Sequence, residues 1–369
     1  MALLSLDAAE ASRRLHEYDA VLDARSPSEF ALDHLPGAQN WPVLSDDERR
    51  IVGTLYVQQG PLPARKIGAA MVARNIADHL DRWIADKPRD WKPLVYCWRG
   101  GQRSGTLAWF LDQIGFRTTR VAGGYKGFRA QVRQDLADWP ARFDFRVLVG
   151  RTGSGKTRLL QALREAGAQV LDLEGLACHR GSILGALPDR PQPAQKRFDS
   201  LLWSALQSLD AQRPVFIESE SKKIGQLQLP DALVRQMQAR GRVLRLELAD
   251  AARVQLLLQD YAALSAAPER FCSLIEALVE LRGREAVKRW QAQARAGDWA
   301  GVFGALMAEH YDPLYQRSTD RHYAGLAQAG ELRLADAAPA TLARAAQALL
   351  AAADATAVQD QALPPAAAA

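Results

Sequence analysis

Apolar residues recur along the chain as short runs alternating with helix-spaced stripes. The run Asp19-Ala-Val-Leu-Asp-Ala24 predicts a short buried strand. Between Ala64 and Ala85, apolar residues fall at helical spacing, at Ile67, Ala70, Met71, Ile76, Leu80, Trp83 and Ile84. Pro93-Leu-Val-Tyr-Cys97 predicts a strand ending on a cysteine. A helix from Ser104 to Ile114 is closed by Gly115, and Thr118 to Val121 forms a further strand before Gly123-Gly124 and a basic helix. Such alternation predicts an α/β domain with a largely parallel sheet.

The pattern stops near Trp139-Pro140 and a second alternation begins. Phe143-Asp-Phe-Arg-Val-Leu-Val149 is a strand, followed by a glycine-rich turn and a helix from Arg158 to Ala166 before Gly167. Later strands are expected at residues 169–173, 214–217 and 243–248, and residues 250–318 read as mostly helical. From Ala337 the chain is alanine-rich. Pro339 suits the first position of a helix running to Ala353, while the end, with Pro364-Pro365 and four alanines, is expected to fray. The expected organisation is therefore 1–138, 139–335 with a helical extension, and an alanine-rich tail over 336–369. No repeat of fixed period is present. The 369 residues exceed the ~250–300 at which a single core usually splits, which agrees with two domains.

Composition narrows the class. Hydrophobic residues make up 48% and charged residues 24%, which excludes a wholly disordered chain. No apolar run reaches the ~18–20 residues of a bilayer span, and the first ten residues do not read as a secretory signal. Three cysteines form no paired disulfide framework, so a reducing, cytoplasmic setting is expected. The net charge of +5 is uneven: residues 1–60 are acidic, whereas 61–140 are basic around Arg65, Lys66, Arg99, Arg103, Arg117, Arg120, Lys126 and Arg129. A local positive field favours anions, either RNA or a small phosphate-like substrate, and equally describes a solvated face.

Two stretches carry chemistry. In Cys97-Trp-Arg-Gly-Gly-Gln-Arg-Ser104 a cysteine leaves a strand, a glycine-containing loop follows, and a helix begins. That order aims the thiol into a bowl of backbone N–H groups at a helix N-terminus, where Arg99 or Arg103 would favour the thiolate and bind an anion. Cys97 is thus a candidate nucleophile. Cys178 and Cys272 lack a comparable loop and read as small buried hydrophobes. The second stretch, Gly150-Arg-Thr-Gly153-Ser154-Gly155-Lys156-Thr157, has G-x-x-x-x-G-K-[ST] spacing between an apolar strand and a helix. Its glycines let backbone N–H groups surround phosphate oxygens, Lys156 adds a point charge, and the Thr157 hydroxyl can hold Mg²⁺. The spacing predicts a phosphate or diphosphate without requiring that it belong to ATP. A magnesium-directed acid is expected at the end of a second strand, with Glu218 or Glu220 as candidates and Asp172 and Glu174 as rivals. No histidine and cysteine spacing fits a structural zinc site.

These motifs carry a resemblance. Leu22-Asp23-Ala-Arg25-Ser-Pro-Ser-Glu29-Phe30, His34-Leu-Pro36-Gly37-Ala38-Gln-Asn40 and the cysteine loop make the first ~135 residues similar to rhodanese domains. Sulfur-transferring rhodaneses usually place an arginine five residues after the cysteine, whereas Arg103 is six residues after Cys97. The longer loop resembles the phosphatase members of the fold, whose wider bowl takes a tetrahedral oxyanion. A rhodanese-like domain joined to a phosphate loop resembles the tRNA 2-selenouridine synthase family to about residue 340. Further similar stretches are Ala122–Arg129, Leu173–Ser182, Gln195–Phe198, Glu218–Gly225 and His310–Ser318.

The resemblance implies an N-terminal rhodanese-like α/β domain followed by a P-loop NTPase-like α/β domain. It also implies a two-step reaction on the anticodon wobble uridine of tRNA: 2-thiouridine is alkylated by geranyl diphosphate, and the S-geranyl group is then displaced using selenium from selenophosphate. The phosphate loop would take the diphosphate; Cys97 would attack or relay selenium, with Arg99 and Arg103 on its phosphate. Both donors are co-substrates, and no tightly bound cofactor is expected. Leu201, Leu202, Trp203, Leu256, Leu257 and Leu258 could line a groove for the geranyl chain, although such stripes are more often plain core. Trp98 could stack on the target base or pack under its loop, and His179 to Ser182 could bind phosphate or form a polar turn. Two other readings compete: an ATP-dependent tRNA sulfurtransferase carrying a Cys97 persulfide, and a non-catalytic tRNA-binding regulator. The oligomeric state is not readable from the sequence.

Overall fold

A computed structural model of the protein describes residues 3–362. The contacts divide it into two units, Met1–Asp135 with Pro193–Ser204, and Leu136–Gln192 with Ala205–Ala369. The first boundary falls close to the expected one, but a helix from the middle of the chain belongs to the first unit.

The first unit is built on five parallel strands: β1 (Leu4–Asp7), β2 (Ala20–Asp23), β3 (Ala38–Asn40), β4 (Pro93–Tyr96) and β5 (Thr119–Ala122), in the order β1-β5-β4-β2-β3. Strands β2 and β4 are buried at every position, as expected of interior strands covered on both faces. Their neighbours Trp41, Ile76, Trp91, Leu107 and Leu111 complete the core. The expected helix after Ala64 spans Pro61–Trp83, opened by a proline in its first turn. A helix at Asp46–Gln59 was not anticipated, because it buries no residue and so shows little apolar stripe. Its signal was the Ser45/Glu48 capping box, closed by Glu48 N–H to Ser45 Oγ at 3.2 Å and Ser45 N–H to Glu48 Oε2 at 2.9 Å.

The second unit holds β6 (Phe145–Val149), β7 (Gln169–Leu171), β8 (Val215–Glu218), a small antiparallel ribbon of β9 (Lys223–Ile224) and β10 (Leu227–Gln228), then β11 (Arg242–Leu248) and β12 (Gly330–Leu334). The main sheet is parallel, in the order β12-β11-β6-β8-β7. Chain order reverses around β6, and such a switch point opens a ligand crevice at the carboxyl ends of the strands. A separate helical core gathers Phe271, Trp290, Phe303 and Leu306.

The alanine-rich segment forms the helix expected from Pro339, and the helix continues past Ala353. Its helix spans Pro339–Ala362, and Leu342, Ala345, Ala346 and Ala353 pack with Leu159, Leu160 and Leu163 of the helix that follows the phosphate loop. Small residues permit that close approach, so residues 339–353 belong to the second core. The end expected to fray, around Pro364-Pro365, lies outside the described residues. Among the described residues no helix is long and apolar enough to cross a membrane.

Candidate functional site

Each unit places one motif at the carboxyl end of its sheet. In the first, Cys97 follows β4 and is 3% exposed. Its Sγ accepts a hydrogen bond from Ser104 Oγ at 3.1 Å, which ties the sulfur to the first turn of the helix Gln102–Ile114. Backbone contacts fix the loop from behind: Tyr125 N–H donates to Cys97 O at 2.8 Å and Lys126 N–H to Trp98 O at 2.9 Å. These approaches require glycine. Gly100 and Gly124 have φ of +65° and +54°, and a Cβ at Gly124 would strike Cys97 O and Gly100 N. The Gly123-Gly124 pair therefore builds the floor of the cysteine loop.

The two arginines differ. Arg99 is exposed in the loop. Arg103 is half-buried and paired with Glu29, Nη1 to Oε2 at 2.6 Å. Burial acts to raise the Glu29 pKa, but the Arg103 hydrogen bond and charge prevail and hold the carboxyl below its ordinary value. Arg103 can thus meet an incoming anion only by sharing or leaving Glu29. Trp98 is 36% exposed and lies 5.3 Å from the Tyr125 ring, so it packs at its inner edge and shows the rest to solvent.

Behind the loop lies a buried polar network. Arg25 pairs with Asp23 at 2.6 Å and stacks on Tyr125 at 3.9 Å. Tyr125 Oη donates to Asp33 Oδ2 at 2.8 Å, and Ser200 Oγ donates to the same oxygen at 2.9 Å. Arg129 reaches Asp199 at 2.6 Å and Lys196 O at 2.9 Å. The stretches Ala122–Arg129 and Gln195–Phe198 thus brace each other and support the cysteine loop.

In the second unit the phosphate loop runs from Gly150 to Thr157. Gly153 and Gly155 adopt φ of +75° and +87°. Lys156 Nζ donates to Gly150 O at 2.6 Å and lies 5.5 Å from the centre of the Tyr315 ring. Gly150 N–H donates to Tyr315 Oη, and the Ser219 hydroxyl is 3.3 Å from that oxygen. Arg253, fully buried, donates to Thr152 O at 2.7 Å and pairs with Asp312 at 2.6 Å, joining the loop to the helix Asp312–His322.

The acid beside Thr157 is Glu174: Thr157 Oγ1 donates to its Oε2 at 3.0 Å. Glu218 stands behind, buried, its Oε1 accepting the Glu174 N–H at 2.9 Å while its Oε2 has no partner. Thr157 therefore meets Glu174 of the short helix Leu173–Ala177, one of the rival acids, with Glu218 one hydrogen bond behind it. Asp172 caps its own helix, accepting the Gly175 N–H at 2.7 Å. Burial, then the Glu174 charge, pushes the Glu220 carboxyl up to about 8 against the pull of Lys156. Glu174 and Glu218 are raised too, with burial the largest cause in each.

The loop opens on a cavity of about 910 Å³. It is lined by Lys156, Thr157, Arg180 and Glu220 together with Ile183, Leu257, Tyr261, Tyr311, Leu314 and Tyr323. Leu257 lies against Gly153 of the loop and the Arg180 guanidinium over the Tyr261 ring at 5.2 Å, so polar and apolar groups share its walls. Of the leucines considered for a groove, Leu257 lines this cavity, while Leu202, Trp203 and Leu256 are core. One helical face supplies an entire wall, with cavity residues at 310, 311, 314, 315, 318, 319, 322 and 323. Its start is a π-helical turn, Met307–Tyr311, of the kind frequent at functional sites. There His310 Nδ1 accepts from Arg282 Nε at 2.9 Å, and burial and the Arg282 charge lower its pKa, so the ring is neutral with its proton on Nε2. His179 is buried in a turn, its Nδ1 accepting the Gly181 N–H at 3.1 Å. Tyr315 and Arg253 were not foreseen, since neither has a spacing that marks it; only the His310–Ser318 stretch pointed to the region.

Comparison with known proteins agrees with both halves. Residues 7–131 match the family model of the rhodanese-like domain, and residues 143–277 match that of the tRNA 2-selenouridine synthase AAA domain. The chain is 35% identical over 358 residues to tRNA 2-selenouridine synthase of Shewanella halifaxensis, covering 87% of this chain and 94% of that one. It is 32% identical over 292 residues to the enzyme of the same name from Nitrosomonas europaea, covering 78% and 75%. With that of Sulfurovum sp. it shares 32% over 336 residues, covering 82% and 89%.

Proposed function

Because the chain belongs to the tRNA 2-selenouridine synthase family, we propose that it converts wobble 2-thiouridine to 2-selenouridine with selenophosphate, through an S-geranyl intermediate made from geranyl diphosphate in the cytoplasm. The observation that carries this reading is one cavity whose lining combines a phosphate loop with aliphatic and aromatic side chains.

In the first step Lys156 leaves Gly150 O for the diphosphate, and the loop N–H groups hold the phosphate oxygens as negative charge develops on the leaving group. The geranyl chain lies along Ile183, Leu257 and Leu314. The Thr157 hydroxyl and the Glu174 carboxyl are hard oxygen donors, and the unpartnered Glu218 Oε2 stands behind them, a set that fits Mg²⁺. When bound, the ion would neutralise diphosphate charge. In the second step the Cys97 loop holds selenophosphate, Arg99 and an Arg103 released from Glu29 bind its phosphate, and the Cys97 thiolate attacks phosphorus, forming an S–P bond as the P–Se bond breaks. The selenide released adds to the uracil carbon and expels geranylthiolate, and water hydrolyses the S–P bond to free phosphate.

The test is mass spectrometry of tRNA nucleosides after incubation with each donor separately. Lys156→Ala is expected to lose the geranylated intermediate and Cys97→Ala to accumulate it. Normal selenouridine formation by Cys97→Ala would reject the nucleophile, and stoichiometric ATP consumption would reject geranyl diphosphate as the activated donor.

A further inference from the structure

Tyr315 lines the cavity beside the phosphate loop. Its ring centre is 5.5 Å from Lys156 Nζ, so in the ligand-free site the ring already faces a cation. The ammonium is held there by Gly150 O at 2.6 Å. A diphosphate draws the ammonium to its own oxygens and frees the ring face. The carbon carrying that diphosphate is one bond from a phosphate oxygen, which brings it to the vacated face. Tyr315 is fixed in place through its hydroxyl, which accepts the Gly150 N–H and lies 3.3 Å from Ser219 Oγ. The ring is therefore held rigidly, with its π face toward Lys156. Nearby, Tyr323 is 93% buried, as its 7% exposure gives, and its hydroxyl has no partner, a further polar group at the wall of the same cavity.

We propose that Tyr315 is a catalytic residue of geranyl transfer, its ring stabilising the positive charge that develops on the allylic carbon. The inference rests on the geranyl diphosphate reading. In the step, the bond between C1 of the geranyl group and the diphosphate oxygen breaks, and its electron pair leaves on the diphosphate. The thiouridine sulfur supplies the pair for the new C1–S bond, and the uracil N3 proton passes to water. Charge is spread over the allyl unit while one bond breaks ahead of the other, and an aromatic face is worth most at that moment. A nucleotide in the same loop would place an uncharged saturated carbon against Tyr315, and the ring would gain nothing.

The test compares the full-length wild type with Tyr315→Phe and Tyr315→Leu in single-turnover geranylation of thiolated tRNA, with geranyl diphosphate affinity and Tm measured alongside. Phe keeps the π face and loses the hydroxyl; Leu keeps apolar bulk and loses the face. The Leu variant is expected to slow the chemical step about ten- to thirty-fold at unchanged geranyl diphosphate affinity. The Phe variant, which keeps the face but loses the hydroxyl that fixes the ring, is expected to fall between wild type and Leu. Selenation of tRNA geranylated beforehand is expected to be unchanged in both. Equal loss in Phe and Leu would overturn the proposal and assign Tyr315 to holding the loop through its hydroxyl; no loss in Leu would overturn it outright. Absence of geranyl transfer by the wild type would instead reject the underlying reading, and the inference with it.

Discussion

Glu220 shows how a single residue reports on its site. Its carboxyl is raised from 4.5 to about 8 by burial and by the Glu174 charge. In the ligand-free protein the folded state therefore holds a proton that the unfolded chain has released. Between pH 4.5 and 8 the folded state binds more protons, so its stability falls as pH rises through that window. Glu220→Gln is expected to flatten the decline of Tm between pH 5 and 8.5, seen by scanning calorimetry. Part of the slope should survive, since Glu174 and Glu218 are shifted the same way. An unchanged slope would show that Glu220 does not hold the proton.

At the scale of elements, the helix Asp312–His322 is tied to the phosphate loop by the buried Arg253, beside the Arg151–Asp312 pair at 3.3 Å and the Gly150 N–H on Tyr315. Arg253 satisfies both Thr152 O and Asp312, and its own side chain is 1% exposed. Removing it leaves the Thr152 carbonyl without its partner and Asp312 with Arg151 as its remaining cation. Arg253→Ala is expected to cost roughly 3–5 kcal/mol in urea unfolding, in the range of broken buried pairs. The double variant Arg253→Met/Asp312→Leu should recover part of the loss, since an apolar pair leaves no buried charge behind. If the single variant lost less than ~1 kcal/mol, the pair would be no anchor.

For the whole molecule, the notable feature is that sequence order and contact order disagree. Residues Pro193–Ser204 belong with the first unit, where Ser200 bonds Asp33, Asp199 pairs with Arg129 and Trp203 Nε1 donates to Asp135 at 2.8 Å. A fragment ending at residue 138 thus loses Ser200 from Asp33 and Asp199 from Arg129, keeping only the Tyr125 hydrogen bond and the longer Arg129–Asp33 pair at 3.7 Å. Such a fragment is expected to melt well below the full chain, and a peptide spanning residues 193–207 should raise its Tm. No rise on adding the peptide would show that the segment contributes nothing to the first unit's stability.

Much of this was legible without coordinates, for a physical reason. Strand and helix periodicity, the two glycine-containing loops and the basic Gly-Lys-Thr turn are local features, set by backbone sterics over ten residues or fewer. Cys97 and Lys156 were therefore readable, as were the α/β halves on either side of Trp139. What depends on distant segments meeting was not. Which of the four candidate acids meets Thr157 was decided only in the fold, where Glu174 takes the hydrogen bond and Glu218 stands behind it. Arg103 found Glu29 from 74 positions away. Tyr315 met Gly150 across 165 positions, and the alanine-rich helix packed into a core that its bland composition did not advertise. One-dimensional spacing encodes which atoms a short loop can offer; only the packed chain decides which side chains face them.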